Sequence, residues 1–309
     1  MYNQEIKERF LAESLGDKNE NTLRAKFESI GVYEDQVGKD FAEMSVEEAL
    51  SAMSEARTNT YGSAFSLLSL MRNYVKWCKD NAVFIGVNKS LVDIEIDDID
   101  ISKSLSELLF KSETELIKEL RSIREFEDGY TEAVILLLGW IGIEQKDVLS
   151  IKPSDVDLQE KRVFVKKYDK FVSFSDSIAY AFSRYEKTKV GSRSSGGDSR
   201  LVYRDDSYDR FVRKYCAKGQ LGKDFTPTQV KHAVNKLNLA YVQNGNEPRF
   251  TGSNVVMSGA LYRVMLLEKS GVDVFSIKNK NAVLDSFLVK AKLHEVLWLY
   301  KNYKRAFSL

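Results

Sequence analysis

Histidine and cysteine, the side chains that most often bind transition metals, are scarce in this 309-residue sequence. It contains only two histidines, His232 and His294, and two cysteines, Cys78 and Cys216. None of these residues has the short spacing to a second ligand that zinc sites show, and no glycine-rich phosphate loop or paired-carboxylate motif occurs. The sequence therefore predicts neither a metal ion nor another cofactor.

Two tyrosines near the C-terminus, Tyr300 and Tyr303, are the candidate nucleophiles. A tyrosine hydroxyl acts as a nucleophile only when neighbouring groups activate it. Val296 and Leu299 lie at helical spacing from them, so the pattern also predicts an amphipathic helix in which both rings are packing residues. Packing is the simpler interpretation.

Cations are concentrated in one part of a chain that is almost neutral overall. The sequence has 46 basic and 45 acidic residues, but residues 184–218 hold ten lysines and arginines against five acidic residues, a local net of +5. Serines and glycines around Arg193 predict a mobile loop that could follow a phosphate backbone, and phosphate contacts supply most non-specific DNA affinity. A solvated surface with ion pairs is the alternative. The DNA-binding candidates here are Arg193, Arg200, Arg204, Arg210 and Arg213.

An amphipathic helix is predicted from Thr58 to Cys78, because apolar residues recur there at three- and four-residue spacing. The amide of Asn59, at its start, could hydrogen-bond adenine in the major groove, and a role as helix cap is equally compatible with its position. Further DNA-binding candidates on or beside this helix are Arg57, Tyr61, Arg72, Lys76 and Lys79.

The elements that must position these residues are mainly helical, since the chain has only three prolines. The acidic, β-branched run LVDIEIDDIDI at 91–101 ends a helical N-terminal part. We therefore predict a helical domain at 1–101, a linker at 102–111 and a second domain at 112–309. No apolar run reaches the 18 residues of a membrane span, and the polar N-terminus lacks a signal peptide, which favours a cytoplasmic protein without membrane contact.

The second domain is expected to contain one small β-hairpin among helices. Tyr130 to Ile141 is apolar nearly all round and reads as a central helix. Short strands at 163–165 and 171–174 are predicted to flank a basic turn. From Ser175 onwards we expect only helices, interrupted by loops that include residues 191–199. The DNA-binding candidates of the turn are Lys166, Lys167 and Lys170.

Two segments of the second domain resemble motifs of tyrosine recombinases and phage integrases. The segment GIEQKDVLSIKPSDVD at 142–157 is similar to the family pattern that begins with Gly-Leu-Arg and precedes a β-hairpin. The segment LLEKSGVDV at 266–274 is similar to the one that follows the family's His-x-x-Arg box. The resemblance implies a helical core-DNA-binding (SAM-like) clamp domain followed by a recombinase-like domain. It also implies that the hairpin turn carries a lysine directed to the minor groove.

The departures from these motifs predict a protein that does not cleave DNA. The family binds the phosphoryl transition state with two arginines, a lysine and histidines, because negative charge accumulates there. Glu144 occupies the first arginine position, and the His-x-x-Arg box falls on Met257 and Ala260. A register shift of three residues would restore an arginine, Arg263, but would not restore the histidine.

Degenerate recombinases of this kind resemble the lysogeny-maintaining repressors of SPβ-type Bacillus prophages. The stretch MSGALYR at 257–263, in place of the family box, suggests that group. This resemblance implies a sequence-specific repressor of double-stranded DNA in the bacterial cytoplasm, with possible control by an antagonist protein. The C-terminal helix could support self-association, as it does in many family members. The alternatives are an active but divergent recombinase using Tyr300 or Tyr303, and an accessory protein that no longer binds DNA.

Overall fold

Helices form most of the secondary structure, because apolar residues recur at helical spacing. The predicted mainly helical fold is therefore confirmed. The computed structural model describes residues 1–14, 20–123, 130–195, 198–288 and 290–309, excluding the side chains of 192–195 and 198–200. The described residues form two units, Met1–Glu107 together with Ala291–Leu309, and Leu108–Lys290. None of the helices in these described ranges is long and apolar enough to cross a membrane.

The first unit is built on helix α4, which confirms the amphipathic helix predicted at 58–78. Thr60 caps α4 and forms a reciprocal capping box with Ser63. The rings of Phe10, Phe27 and Tyr74 pack edge to face in the core. The helices of this unit are α1 (Gln4–Ser14), α2 (Glu20–Val37), α3 (Val46–Glu55), α4 (Tyr61–Asp80), α5 (Ser102–Leu108) and, at the end of the chain, α12 (Leu293–Phe307).

The segment that follows α4 departs from the expected linker. The acidic run contains two single 3-10 turns, and its apolar residues Leu91, Ile94 and Ile99 are buried. The predicted linker at 102–111 contains helix α5, because Ser104 and Leu105 are buried against the unit. The boundary between the units falls after Glu107, inside that segment.

The C-terminal helix α12 belongs to the first unit, whereas the sequence placed it in the second. Trp298 Nε1 donates to the carbonyl of Ile96 at 2.9 Å, and Asn302 Oδ1 accepts from Ile101 N–H at 3.1 Å. The ring of Trp298 also meets Tyr61 of α4 edge to face. The apolar side of α12 is thus buried by its own chain.

The second unit is centred on α7, which confirms the predicted central helix, since every residue of α7 is buried. Helix α10 crosses α7 at Gly259, where an added Cβ would lie 1.9 Å from the carbonyl oxygen of Trp140. The helices of this unit are α6 (Glu113–Ser122), α7 (Thr131–Trp140), α8 (Asp176–Lys187), α9 (Pro227–Gln243), α10 (Gly252–Lys269) and α11 (Lys280–Phe287).

The predicted hairpin is confirmed and is part of a three-stranded antiparallel sheet, β1 (Val156–Asp157), β2 (Arg162–Val165) and β3 (Lys170–Ser173). In its register Val163 faces Val172 and Val165 faces Lys170. The residues Lys166–Tyr168 form a 3-10 turn that ends at Asp169 in the left-handed region, with φ 48°. The basic turn therefore lies at one end of the β2–β3 hairpin.

A second sheet replaces the loop predicted at 191–199. Strand β4 (Val190–Ser195) pairs with β5 (Asp198–Arg204), which in turn pairs with β6 (Tyr215–Cys216). The expectation of only helices and loops after Ser175 is therefore wrong. The β-branched and aromatic residues of β5, Val202 and Tyr203, favour a strand, and backbone pairing outweighs the three serines and one glycine of β4.

Candidate nucleic-acid interface

Glu144 lies in an ion-pair network at the turn that follows α7. Gly142 makes this turn possible, because its φ of 101° is in a region that favours glycine. Glu144 is 2.5 Å from Lys146 Nζ and 2.9 Å from Lys167 Nζ, and Lys167 also reaches Asp147 at 3.1 Å. The hairpin turn and the α7 turn are thereby connected through Lys167.

The charges of this network stabilise each other. The hydrogen bonds from Lys146 and Lys167 hold the pKa of the Glu144 carboxyl below its ordinary value. Glu144 in turn raises the pKa of the Lys167 ammonium group. Both groups are therefore charged near neutral pH, and Lys167 is already paired with two carboxylates. A phosphate at this position would have to compete with Glu144 and Asp147 for the same cation.

Helix α10 carries the positions on which the sequence comparison placed the His-x-x-Arg box. Ala260 is fully buried and Met257 is partly buried, so the helix presents neither a base nor a cation there. Arg263, the residue that a shifted register would supply, donates from Nε to the carbonyl of Ser286 at 2.8 Å and from Nη1 to that of Trp140 at 2.5 Å.

The surroundings of Arg263 explain why its charged side chain can be partly buried. Trp140 ends α7, and Ser286 and Phe287 end α11, so the guanidinium group lies at the carbonyl ends of two helices, where a cation is favourable. Burial lowers the pKa of Arg263 to about 10. Arg263 thus fastens α10 to the ends of α7 and α11, a packing role that the sequence pattern did not predict.

Tyr300 and Tyr303 are fully buried on α12. The ring of Tyr303 meets Phe307 edge to face at 4.9 Å, and the ammonium group of Lys304 lies 5.8 Å from the centre of the Tyr300 ring. Both tyrosines belong to the first unit, whereas Glu144 and α10 belong to the second. In this arrangement their hydroxyls are not exposed to a phosphodiester, as expected for packing residues.

Three arginines of the basic segment have intramolecular partners, unlike the DNA-facing groups expected from the sequence. The side chain of Arg204 is only 3% exposed; it pairs with Asp206 at 2.8 Å and donates to the carbonyl of Tyr185 at 2.6 Å. Arg213 pairs with Asp206 at 3.3 Å, and Arg210 pairs with Asp224 at 3.0 Å. Asp206 within the segment and Asp224 beyond it therefore neutralise these cations and hold the loop between β5 and β6.

The side chains of Arg193 and Arg200 lie outside the described residues. Their backbones face each other across β4 and β5. The turn of the first hairpin offers two further cations: Lys166 is exposed and Lys170 is partly exposed. These four residues remain candidates for phosphate contacts in the second unit.

In the first unit, Lys76 and Lys79 are exposed on α4. Arg72 instead donates to the carbonyl of Ile94, which gives it a structural role. Tyr61 stacks on Phe65 with ring centres 6.1 Å apart. The side chain of Lys26, on α2, donates to Ser66 on the exposed side of α4, a neighbour that the sequence did not identify.

The loop before α4 carries the other two candidates of the first unit. Thr60, not Asn59, is the N-cap of α4, so the capping interpretation of Asn59 is wrong. Arg57 adopts a φ of 50°, and its side chain is 61% exposed at 3.8 Å from Glu107.

Within the described ranges no group of three or more histidine, cysteine or acidic side chains could hold a metal ion.

Comparison with known proteins gives one sequence-based match. The family model "MrpR, N-terminal core-binding domain" matches residues 1–80, which form most of the first unit. No curated protein sequence matches the chain.

Solved structures of recombinases and integrases are similar over nearly the whole chain, at low identity. For XerA recombinase the identity is 13% and the TM-score 0.42, covering 99% of this chain and 97% of that chain. For the Tn1549 transposon integrase in complex with circular intermediate DNA, the identity is 11% and the TM-score 0.40, covering 99% of this chain and 98% of that chain. For a variant of that integrase in complex with transposon right end DNA, the identity is 13% and the TM-score 0.41, covering 98% of this chain and 97% of that chain.

Proposed function

We propose that this chain is a sequence-specific double-stranded DNA-binding protein on a recombinase-like scaffold that does not cleave DNA. The observation that carries the proposal is the pairing of Glu144 with Lys167. Phosphoryl transfer needs fixed cations around the phosphate. At this position the Lys167 cation is instead paired with the Glu144 carboxylate.

The match of residues 1–80 to a core-binding domain supports DNA binding by the first unit. Asn59, Tyr61 and Arg57 stand at or before the start of α4, and Lys76 and Lys79 are exposed further along it. Short polar groups such as the Asn59 amide suit base edges, and lysines suit phosphates. We therefore assign sequence recognition to the loop before α4.

The second unit is assigned phosphate contacts. Lys166, Lys170, Arg193 and Arg200 are its candidate cations, while Arg204, Arg210 and Arg213 hold the fold through their acidic partners. Contacts of this kind position a duplex but carry no sequence information. The two units would then make separable contributions to affinity.

The biological role that fits a DNA-binding, non-cleaving protein is repression by occupancy of promoters. The stretch at 257–263 supports a prophage repressor that maintains lysogeny, acting in the host cytoplasm and released by an antagonist protein. Self-association through α12 would require this helix to leave the first unit, because its apolar side is buried there.

The test is a binding titration on duplexes selected by the protein from a random pool, beside scrambled duplexes of the same composition. Asn59→Ala should weaken binding to the selected site by about 1–3 kcal/mol and leave scrambled DNA nearly unaffected. Gln36→Ala, an exposed amide on α2, is the matched control and should change neither affinity.

Equal losses on both duplexes would remove Asn59 from sequence recognition. If wild-type protein enriches no sequence, and binding does not weaken with salt, the DNA-binding proposal itself is wrong. Contact with about six phosphates predicts a loss of about a thousandfold in affinity between roughly 50 and 200 mM salt.

A further inference from the structure

A cavity of about 400 Å³ lies in the second unit, away from Glu144 and its partners. It is open to solvent on one side and is bounded by the start of α7, by β6 with the turn that follows it, and by one face of α9. Gln229, His232, Ala233 and Lys236 line it from α9 at spacings of three, one and three residues. This face is adjacent to the one that α9 buries in the core through Val230, Val234 and Leu237. A volume of this size accommodates a small ligand.

The rim of the cavity is basic. Lys214, Lys223 and Lys236 line it, against a single carboxylate, that of Glu132. Lys214 donates to the carbonyl of Lys223 and lies 3.7 Å from Asp205, so its charge is partly compensated within the fold. Lys223 and Lys236 are exposed and approach the cavity from two different elements. The electrostatic balance favours an anion.

The floor of the cavity is apolar. Tyr215, Cys216 and Phe225 are each less than 10% exposed and line it. Thr131 and Gln229, in the first turns of α7 and α9, also line the cavity. The cavity thus combines buried aromatic side chains with cationic and side-chain amide groups at the rim.

We propose that this cavity binds a small phosphorylated ligand, with the phosphoryl group at Lys223 and Lys236 and a flat apolar part against Tyr215 and Phe225. A nucleoside monophosphate is the simplest compound with both features. The side-chain amides of Gln220 and Gln229 would hydrogen-bond its polar edge. The inference is independent of the proposed DNA-binding function, because the site can be filled without DNA.

The experiment is calorimetric titration of the full chain with AMP, GMP, CMP and UMP, each compared with its nucleoside. At least one monophosphate should bind with a Kd below about 1 mM and about tenfold more tightly than the nucleoside. Lys223→Ala with Lys236→Ala should weaken that binding by about tenfold or more. Lys231→Ala is the matched control, since it is exposed on α9 but does not line the cavity, and should bind like wild type.

Three results would overturn the proposal. In the first, no monophosphate binds more tightly than its nucleoside. In the second, the double variant binds the nucleotide as tightly as the wild-type protein does. The folding control is the melting temperature of the double variant, which should equal that of the wild type because both lysines are exposed. In the third, no nucleotide binds, but the double variant lowers the salt slope of DNA binding by about two units. The lysines would then contact phosphates of the DNA backbone. Failure of DNA binding in the wild-type protein would contradict the proposed function and leave the nucleotide result unaffected.

Discussion

At the residue scale, the decisive feature is a carboxylate placed between two lysines at the end of α7. The sequence identified Glu144 as a departure from the recombinase motif but could not show its partners, because Lys167 is 23 residues away. Of the three lysines that the sequence offered for the minor-groove role, Lys167 is the one that Glu144 and Asp147 engage. The partners of Glu144 therefore include a residue of another element.

Glu144→Gln should strengthen DNA binding, because it removes a negative charge and releases Lys167 from one of its two carboxylates. We expect a gain of about two- to fivefold, as for a surface ion pair of up to about 1 kcal/mol, and a salt slope steeper by about one unit. Titration on selected duplexes at several salt concentrations measures both. Glu160→Gln, an exposed acid in the β1–β2 turn, is the control and should change neither.

A second residue-scale feature is the fully buried pair of Lys7 and Glu34, which joins α1 to α2. The other oxygen of Glu34 accepts from the backbone N–H of Phe41 at 2.9 Å. Lys7→Met leaves Glu34 buried without its cation, and should lower the free energy of unfolding by about 3 kcal/mol. Denaturant titration measures it, and Lys7→Met with Glu34→Leu should recover most of the loss. A loss no smaller in the double variant would contradict this account.

The same pair predicts how stability depends on pH. Burial raises the pKa of Glu34 from 4.5 to about 7. The unfolded chain therefore loses this proton at lower pH than the folded chain does. The stability associated with it is fully present below about pH 4.5 and is lost as the pH rises to about 7. Glu34→Gln should flatten that part of the stability curve; an unchanged slope would assign it to other groups.

At the scale of elements, the contact of α7 with α10 determines the second unit. The sequence predicted that α7 is central from its apolar character on all sides. It did not predict that Gly259 is the point of closest approach, because a glycine in the middle of a helical pattern gives no sign of its neighbour. The second sheet was missed for a related reason: β4 is rich in serine and glycine, and only its partner β5 makes it a strand.

Gly259→Ala should destabilise the protein strongly, since the added Cβ would lie 1.9 Å from the Trp140 carbonyl oxygen and must push the helices apart. Overpacking of this kind costs about 1–3 kcal/mol or more. Gly62→Ala on α4 is the matched control: nothing lies within 4 Å of its added Cβ, and a gain of about 0.5–1 kcal/mol is expected. Thermal unfolding of both variants measures the contrast. An equal melting temperature for the two variants would mean that α7 and α10 do not pack at Gly259.

At the scale of the whole molecule, the sequence predicted a helical N-terminal part, a boundary within 102–111 and a hairpin in the second domain. It placed α12 in the second domain, because the amphipathic pattern at 293–307 shows that one side is buried but not which unit buries it. Trp298 and Asn302 decide this through their bonds to Ile96 and Ile101. The same placement buries Tyr300 and Tyr303, which the sequence left as either nucleophiles or packing residues.

The central claim is that the protein binds DNA without forming a covalent bond to it. The most direct test uses suicide duplexes, nicked near each phosphate of a selected site so that any cleavage traps the protein. Denaturing gels and mass spectrometry then report adducts, with an active recombinase on its own substrate as positive control. We expect sequence-specific complexes and no adduct at any phosphate. A phosphotyrosyl adduct at Tyr300 or Tyr303 would contradict the account.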